Sequence, residues 1–405
     1  MTIILINSGK PEALRELRRV SHEPMAVITE ARYAAFYESI DDIRFVKDIS
    51  DIAEVRDVAF EIRKREGVTA VISPSDRSML TGGFLRSLWG LPGESFEVSN
   101  RFTNKAIQKR VLQAAGIPVA RFECVANDQE LLAAIETVQF PIIAKPAFGT
   151  GTMGVMRLDT SSDISKLTRA LSELPSWRGS LLLEEFVQMR GEYSCDGIVQ
   201  DGVVVAVVVS RYHQPLLGLA GGMVGGTTLD PLSEHRPVLE RLHQRVVTAL
   251  GLSSGVTHME AYLTDQGFVV GEIASRPGGA GVPKNAERAQ GLDLWQAFML
   301  SALGEDNAPA VSGDHELNAL YMWTTLPSGV GTITSISVGG IETMREVEEV
   351  DMKAKVGDSL QGELHSSFTT GHVFLKLPFG SEEQIMSRLA EVEANYHLEL
   401  TGALD

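Results

Sequence analysis

Short apolar runs alternate with amphipathic segments over the first hundred residues. The run "TIILIN" precedes the helical pattern "KPEALRELRRV", and "MAVIT", a helix over about 51–65 and "VTAVISPSD" continue the alternation. Strands that alternate with helices predict a small parallel α/β lobe over residues 1–100. Ser73 and Asp76, near a predicted strand end, either line a pocket or cap a loop. The motif G-x-G-x-x-G is absent from this segment, so a dinucleotide site loses its main support.

The pattern changes near residue 100. A helix capped by Asn100 or Thr103 ends at Gly116, and the strands that follow are joined by short turns, Asp201-Gly202 giving a strong hairpin signal. We predict an α+β region with antiparallel sheets over 101–308. A third α+β unit over 309–405 contains "HELNALYMWTTL", "HVFLKLPFG" and an amphipathic helix near 381–394.

Composition narrows the class of protein. The chain has 405 residues and a net charge of −17, which argues against a general nucleic-acid binder because phosphate contacts need a basic surface. Cys124 and Cys195 give neither a disulfide framework nor metal-ligand spacing. The first apolar run is too short for a signal peptide, and no stretch approaches the roughly 20 apolar residues of a membrane span. We therefore expect a cytoplasmic protein without a membrane or nucleic-acid partner.

The segment "GVTHMEAYLTDQGFVVGEIASRPGG" reads as a hairpin with two acidic residues on one face. If Asp265-Gln266-Gly267 form a three-residue loop, Glu260 and Glu272 lie directly opposite each other, with Cβ atoms about 5 Å apart. Carboxylates so placed repel unless a cation lies between them, and Mg²⁺ commonly takes one or two carboxylates together with substrate phosphates. Arg276 shares the strand parity of Glu272. The alternative is a solvated hairpin face.

Two lysines offer phosphate contacts. Lys145 precedes the glycine-rich stretch "FGTGTMGV", whose backbone N–H groups can surround phosphates, although this is not a Walker A motif. Lys105 lies in the first turn of a predicted helix, where the helix dipole disfavours a cation unless an anion binds there. Each signal is weak on its own.

The stretch "LLLEEFVQMRGEY" carries a third signal. A strand runs into Glu184-Glu185 and then Phe186-Val187, with Glu192 beyond. An apolar slot beside a strand edge suits adenine, and a carboxylate suits ribose hydroxyls. A strand end with exposed acids is the alternative.

Taken in order, these stretches resemble the ATP-grasp superfamily of carboxylate–amine ligases over about residues 100–300. The resemblance implies an ATP-grasp fold that combines α/β and α+β parts: the N-terminal parallel lobe, a lid subdomain at about 115–185 in the centre, and the C-terminal α+β unit. It implies ATP and Mg²⁺ as cofactors, with two ions or Mn²⁺ as variants, and small-molecule carboxylate and amine substrates. A homodimer is among the assemblies it allows.

The resemblance also implies roles for individual residues. Lys105 and Lys145 hold ATP phosphates under a loop that includes Gly149, Gly151, Thr152 and Gly154. Glu184, Glu185, Phe186 and Val187 surround adenine, and Glu192 contacts ribose. Glu260 and Glu272 hold the metal, and Arg276 is the catalytic residue that stabilises charge on the acyl group.

One position departs from the family pattern Glu-x-Asn-x-Arg. Ala274 replaces the metal-binding Asn, so Ser275, water or substrate is expected to complete the metal shell. With "GVTHME" before it and "RPGG" after it, the variant is most similar to the L-amino acid ligase branch, which makes dipeptides. The alternatives are a D-alanine, purine-pathway or biotin-carboxylase-like ligase, or a non-catalytic nucleotide-binding module.

Overall fold

A computed structural model gives the fold of the chain and describes residues 1–149, 154–173, 180–217, 222–307, 310–311, 317–361 and 369–402. The predicted nucleotide-loop residues Gly151 and Thr152 lie outside the described residues. Among the described residues, no helix has the length and apolar content needed to cross a bilayer.

The N-terminal lobe is a parallel sheet with helices on both faces, which confirms the fold predicted for this segment. Its strands follow the order β3-β2-β1-β4. Helix α1 packs on Ile3 and Leu5, whereas α2 and α3 pack on Ile4 and Ile6, which point to the opposite face. The elements are β1 Thr2–Ile6, α1 Pro11–Val20, β2 Met25–Glu30, a 3₁₀ helix Ala31–Tyr37, β3 Asp42–Val46, α2 Ile52–Glu66, β4 Val68–Ile72 and α3 Asp76–Trp89.

Two helices lead from this lobe to a small four-stranded antiparallel sheet. The side chain of Asn104 caps the second helix, so the helix begins at Lys105 rather than after Asn100 or Thr103. The small sheet has the order β5-β8-β6-β7 and packs on the apolar sides of its helices. The elements are α4 Phe96–Thr103, α5 Lys105–Ala114, β5 Phe122–Val125, α6 Asp128–Val138, β6 Ile142–Pro146, β7 Met156–Leu158, a 3₁₀ helix Ser161–Asp163, α7 Ile164–Glu173 and β8 Leu181–Glu185.

An eight-stranded antiparallel sheet forms the centre of the molecule. Its order is β13-β12-β9-β10-β11-β14-β18-β16, so it continues across residue 308 into the segment predicted as a third unit. The elements up to this point are β9 Gly191–Gln200, β10 Val203–Tyr212, β11 Gly225–Thr228, α8 His235–Leu250, β12 Gly255–Thr264, β13 Gly267–Ala274, α9 Val282–Gln290, α10 Leu294–Leu303 and β14 Leu320–Leu326.

The remaining strands divide between this sheet and a three-stranded sheet of order β17-β15-β19. The last helix begins at Glu382, close to the predicted 381, with Ser381 as its cap. The elements are β15 Val330–Ser337, α11 Gly339–Glu342, β16 Val347–Met352, β17 Ser359–Gln361, β18 Gly371–Leu377, α12 Glu382–Ala394 and β19 His397–Thr401.

The two faces of β9, β12 and β13 differ in chemistry. The odd-numbered residues of β9 and β12, such as Cys195 and Met259, are buried against α8. The opposite face, which we call the polar face, comprises Glu192, Ser194, Asp196, His258, Glu260 and Glu272. Period-two alternation thus places every candidate carboxylate of these strands on one side of the sheet.

Candidate active site

The two candidate metal ligands are cross-strand neighbours. Glu260 of β12 pairs directly with Glu272 of β13, and Ser194 of β9 lies on the other side of Glu260. The two carboxylates therefore project from the same face of adjacent strands. Carboxylates that lie opposite each other repel, and a hard cation that takes oxygen ligands relieves that repulsion.

The register that pairs the two glutamates arises differently from the sequence prediction. The hairpin turn consists of Asp265 and Gln266 alone, because Thr264 already pairs with Gly267. A β-bulge next to Glu260 then shifts the register by one residue and brings Glu272 opposite Glu260. The predicted three-residue loop was therefore wrong, although the predicted pair was right.

Gly271 is the residue left over at this bulge. A Cβ atom there would lie 2.6 Å from the Tyr262 ring, so a larger residue does not fit without a shift of that ring. The Gly271 carbonyl accepts a hydrogen bond from Lys109 Nζ at 3.3 Å. Glycine thus permits the bulge, and a buried lysine satisfies its carbonyl.

Lys105 contacts one of the paired carboxylates. Its Nζ lies 2.9 Å from Glu272 Oε2 and donates to the Gly149 carbonyl at 3.1 Å. Burial alone would raise the pKa of Glu272, but the cations Lys105 and Lys145 lower it to about 2. Glu272 is therefore ionised across the whole neutral range and is paired with Lys105.

Lys145 reaches the same region from the lid. Its Nζ lies 2.9 Å from Glu184 Oε1, and Lys109 Nζ lies 3.3 Å from the same oxygen. The Glu184 carboxylate is buried between these two ammonium groups, which lower its pKa although burial itself would raise it. The sequence assigned Glu184 to adenine, but the structure commits its carboxylate to the lysines.

The residues after Glu184 lie at the end of strand β8. Glu185 Oε2 accepts from Arg121 Nε at 2.7 Å, and the Phe186 ring lies under the Arg157 guanidinium, 4.1 Å from its centroid. Val187 follows in a half-buried, irregular segment. Strand β8 is flanked by β5 and β6, and the N–H groups of Glu185 and Phe186 donate to the Arg121 and Pro141 carbonyls, each at 3.0 Å.

The glycine-rich loop is described only at its ends. The Gly149 carbonyl contacts Lys105, as given above. Gly154 has φ of +72°, a conformation that favours glycine. The loop therefore starts beside the lysine predicted to hold phosphate.

Glu192 lies on the polar face, close to the paired carboxylates. Its Oε2 accepts from the Leu216 backbone N–H at 2.9 Å, and its side chain is buried. Burial, and next the Glu260 carboxylate, raise the pKa of Glu192 to about 8. Burial and the neighbouring carboxylate thus disfavour the charged form of Glu192.

The sequence analysis missed two residues near Glu260, namely His258 and Asp196. His258 Nδ1 lies 2.6 Å from Asp196 Oδ1, and its Nε2 lies 3.5 Å from Glu260 Oε1. Burial opposes the charge on His258, but Asp196 and Glu260 together raise its pKa to about 10. The parity of "THME" and "EYSCD" would have placed these groups on one face, had the pairing of β9 with β12 been known.

Arg276 lies beyond the end of β13 and connects the central sheet to the N-terminal lobe. Its Nε and Nη2 donate to Asp76 Oδ1 and Oδ2 at 2.8 and 2.6 Å, and its Nη1 donates to the Pro277 carbonyl at 2.9 Å. Asp76 is the first residue of α3 in the N-terminal lobe. The bidentate pair fixes the plane of the guanidinium, which is 13% exposed.

Ser275, one of the three groups expected to complete the metal shell, does not face the metal pair. Its hydroxyl donates to Glu94 Oε2 at 2.9 Å, and the residue is fully buried. Successive strand residues point to opposite faces, so Ser275 points away from Glu272 and Arg276. Among the residues that the structure describes, no group of three His, Cys, Asp or Glu side chains forms a complete metal shell. A cation held by Glu260 and Glu272 would complete its shell with phosphate oxygens and water.

We expect Glu94→Gln to change how stability depends on pH. Burial raises the pKa of Glu94 to about 7, although Arg86 and two serine hydroxyls oppose this. The folded state then holds a proton that the unfolded chain releases near pH 4.5, so this group lowers stability as the pH rises towards and through 7. The variant has no titrating group at this position, so its free energy of unfolding does not fall for this reason as the pH rises. Melting temperatures between pH 5 and 8 should show the variant gaining on the wild type as the pH rises, and a constant difference would contradict the prediction.

Comparisons with known proteins agree with this geometry. Residues 110–283 match the model of the ATP-grasp domain. The chain is 31% identical to the L-arginine-specific L-amino acid ligase of Bacillus subtilis, an alignment that covers 99% of this chain and 98% of the relative. Likeness over both full lengths includes the N-terminal lobe and the C-terminal strands as well as the matched domain.

Solved structures show the same fold. The L-amino acid ligase from Bacillus licheniformis superposes with a TM-score of 0.80 at 18% identity, covering 99% of both chains. The phosphoribosylglycinamide synthetase from Anaerococcus prevotii gives 0.70 at 16% identity, again over 99% of both chains. These two similarities concern the fold alone. The domain match and the full-length relative establish that the chain belongs to the ATP-grasp family of ATP-dependent carboxylate–amine ligases, in its L-amino acid ligase branch.

Proposed function

We propose that this enzyme joins two L-amino acids into a dipeptide, with ATP converted to ADP and phosphate. The observation that carries the proposal is the spatial arrangement of four charged groups: Lys105 contacts Glu272, Glu272 faces Glu260, and Arg276 lies near both carboxylates. It combines a cation that can bind phosphate, a pair of carboxylates that can bind a metal ion, and a guanidinium that is paired with Asp76 of the N-terminal lobe. The full-length similarity to an L-arginine-specific ligase supports amino acids as substrates and makes L-arginine the first to test.

The nucleotide is assigned to the cleft between the lid and the polar face. Lys105 and Lys145 bind phosphate oxygens under the loop that starts at Gly149. The segment that runs from Glu185 to Val187 takes adenine, with the Phe186 ring against the base and the Val187 backbone beyond the end of β8 as its polar contact, and Glu192 takes a ribose hydroxyl. Glu184 acts through Lys145, because its carboxylate holds that ammonium group at 2.9 Å.

Glu260 and Glu272 would hold Mg²⁺. Their donor set fits this ion, since Mg²⁺ prefers oxygen ligands and commonly combines one or two carboxylates with phosphates. When bound, the ion supplies charge stabilisation to the phosphates. His258 keeps Glu260 in position through its Nε2, at 3.5 Å.

The chemistry then proceeds in two displacements. A carboxylate oxygen attacks the γ-phosphorus of ATP, and the bond between that phosphorus and the β,γ-bridging oxygen breaks. ADP departs, and the product is an acyl phosphate. The amine nitrogen attacks the acyl carbon, the carbon–oxygen bond breaks, and phosphate leaves as the amine loses a proton. Arg276 stabilises the negative charge that develops on the acyl oxygens, because its guanidinium is already oriented by Asp76.

A substrate screen tests the proposal. Phosphate release should require ATP, Mg²⁺ and a pair of L-amino acids, and mass spectrometry should find the matching dipeptide. Bicarbonate, D-alanine and single amino acids serve as comparisons. Turnover with bicarbonate or D-alanine but with no L-amino acid pair would overturn the proposal.

Three finer expectations from the sequence stay predictions. Mn²⁺ is expected to replace Mg²⁺, because it accepts similar oxygen ligands. A homodimer is testable by sedimentation equilibrium. A cytoplasmic location fits the need for ATP and is testable by cell fractionation.

A further inference from the structure

The carboxyl ends of strands β1 and β4 lie side by side in the N-terminal lobe. Strand β1 lies between β2 and β4, and the helices that follow β1 and β4 pack on opposite faces of the sheet. The loops Asn7–Lys10 and Ser73–Ser75 therefore diverge at this point. In open parallel sheets, a crevice where the connections diverge is the usual place for a ligand.

The Asn7–Lys10 loop is held in one conformation. The Asn7 side chain is fully buried, donates to the Lys10 carbonyl at 2.9 Å and accepts from the Ser8 N–H at 2.9 Å. Gly9 has φ of +67°, and a Cβ atom there would lie 2.5 Å from the Tyr33 ring. Lys10 thus projects from a rigid support rather than from a flexible loop.

The Lys10 ammonium group has a polar neighbour but no ion-pair partner within the described part of the chain. Its Nζ donates to the Pro74 carbonyl at 3.3 Å, and none of the ion pairs between described residues includes it. The nearby Asp76 carboxylate has both oxygens bound by the Arg276 guanidinium. Burial, and then the Arg276 cation, lower the pKa of Lys10 to about 8. Two cations thus lie near one carboxylate, which is paired with Arg276, and Glu12 acts on Lys10 more weakly than Asp76 does.

The position of Lys10 separates it from the metal pair. Lys10 contacts the Pro74 carbonyl in the loop after β4 of the N-terminal lobe, whereas Glu260 and Glu272 belong to strands β12 and β13 of the central sheet. Arg276 lies beyond the end of β13 and connects the two regions through its pair with Asp76, two residues after Pro74. A carboxylate bound to Lys10 is held away from the phosphate-binding lysines.

We propose that Lys10 binds the free α-carboxylate of the amino acid that supplies the amine. This rests on the proposed function, which needs two carboxylates in the site with different fates. The carboxylate that is activated must reach the γ-phosphate near Lys105 and Glu272. The other must be kept from the phosphate while its amine approaches the acyl carbon, and a separate cation in the N-terminal lobe does this. Lys10 then makes the enzyme select an amino acid over a simple amine.

The test compares Lys10→Met with wild type, using the most active amine amino acid of the screen and its carboxamide. Losing a hydrogen bond to a charged group costs about 1.5–3 kcal/mol, so KM for the free amino acid should rise roughly 10- to 100-fold. KM for ATP and for the activated amino acid should change less than about twofold. The carboxamide should have a high KM with wild type, and Lys10→Met should leave that value unchanged. Lys10→Arg should keep part of the affinity because it keeps the charge.

Lys64→Met is the matched control, since Lys64 is an exposed lysine of the same lobe. Melting temperatures check that each variant is folded. An unchanged KM for the free amino acid in folded Lys10→Met overturns the inference, and so does a rise in KM for ATP or an equal loss with the carboxamide. Absence of turnover with every amino acid pair in wild type instead overturns the proposed function.

Discussion

Glu272→Gln should reduce ADP release in the presence of Mg²⁺ by roughly 10³-fold while leaving the fold intact. The substitution keeps the shape of the side chain but removes the charge that faces Glu260 across the hairpin. A metal ion at phosphates contributes several kcal/mol of charge stabilisation, and each 1.36 kcal/mol is tenfold in rate. The measurement is steady-state ADP release with the amino acid pair from the screen.

A binding experiment separates metal binding from other effects of this change. Mg²⁺ should strengthen ADP binding to the wild type, as seen by calorimetry, and should have little effect on the variant. Glu123→Gln, which alters an exposed glutamate of strand β5, is the matched control and should behave as wild type. A folded Glu272→Gln with near wild-type ADP release would show that the metal assignment is wrong. Because Lys105 loses its partner in this variant, ADP affinity without Mg²⁺ should be measured as well.

Replacing Arg276 should have the next largest effect. Arg276→Lys keeps the charge but loses the planar fork that engages both oxygens of Asp76. We expect kcat to fall about 10²-fold in Arg276→Lys and about 10³-fold in Arg276→Ala, with little change in ATP affinity. These magnitudes follow the usual cost of removing one charge-stabilising donor from an active site.

A purely structural salt bridge would give different results. Removing one partner of a buried ion pair costs about 3–5 kcal/mol, so Arg276→Ala alone is expected to be less stable. The double variant Asp76→Asn/Arg276→Met removes both charges and should recover much of that stability. If the double variant is stable and slow, Arg276 contributes to catalysis. If it recovers activity together with stability, the catalytic role is refuted.

The sequence was sufficient for those parts of the site that depend on neighbours along the chain. Strand parity put Glu260 and Glu272 on one face, and the pairing of β12 with β13 confirms this. The alternating pattern of the first hundred residues was sufficient for the parallel lobe. Each of these inferences uses a period of a few residues, which the backbone geometry of strands and helices imposes locally.

The three-dimensional packing decided the contacts between segments that are distant in sequence. Asp76 meets Arg276 because the N-terminal lobe packs against the end of β13, and no local pattern links positions 200 residues apart. Lys109 lies within helix α5, and the sequence alone does not show that its side chain is buried. It is buried beside Glu184 because α5 packs against strand β8. Ser275, one of the three groups expected to complete the metal shell, instead donates to Glu94, because the segment between α3 and α4 packs against the end of β13.

The bulge at Gly271 shows which part of the strand register the sequence pattern predicts and which part depends on the folded structure. Alternation along the strand predicts which residues share a face, but an extra residue in one strand reverses that prediction beyond it. Here two deviations, a shorter turn and the bulge, compensate each other and leave Glu260 opposite Glu272. The residue types and their order along the chain were enough to identify the chemistry of this protein. The register, the burial of Glu184 and the position of Lys10 beside Pro74 depend on which surfaces come together, because only packing between distant segments determines the partner of each charge.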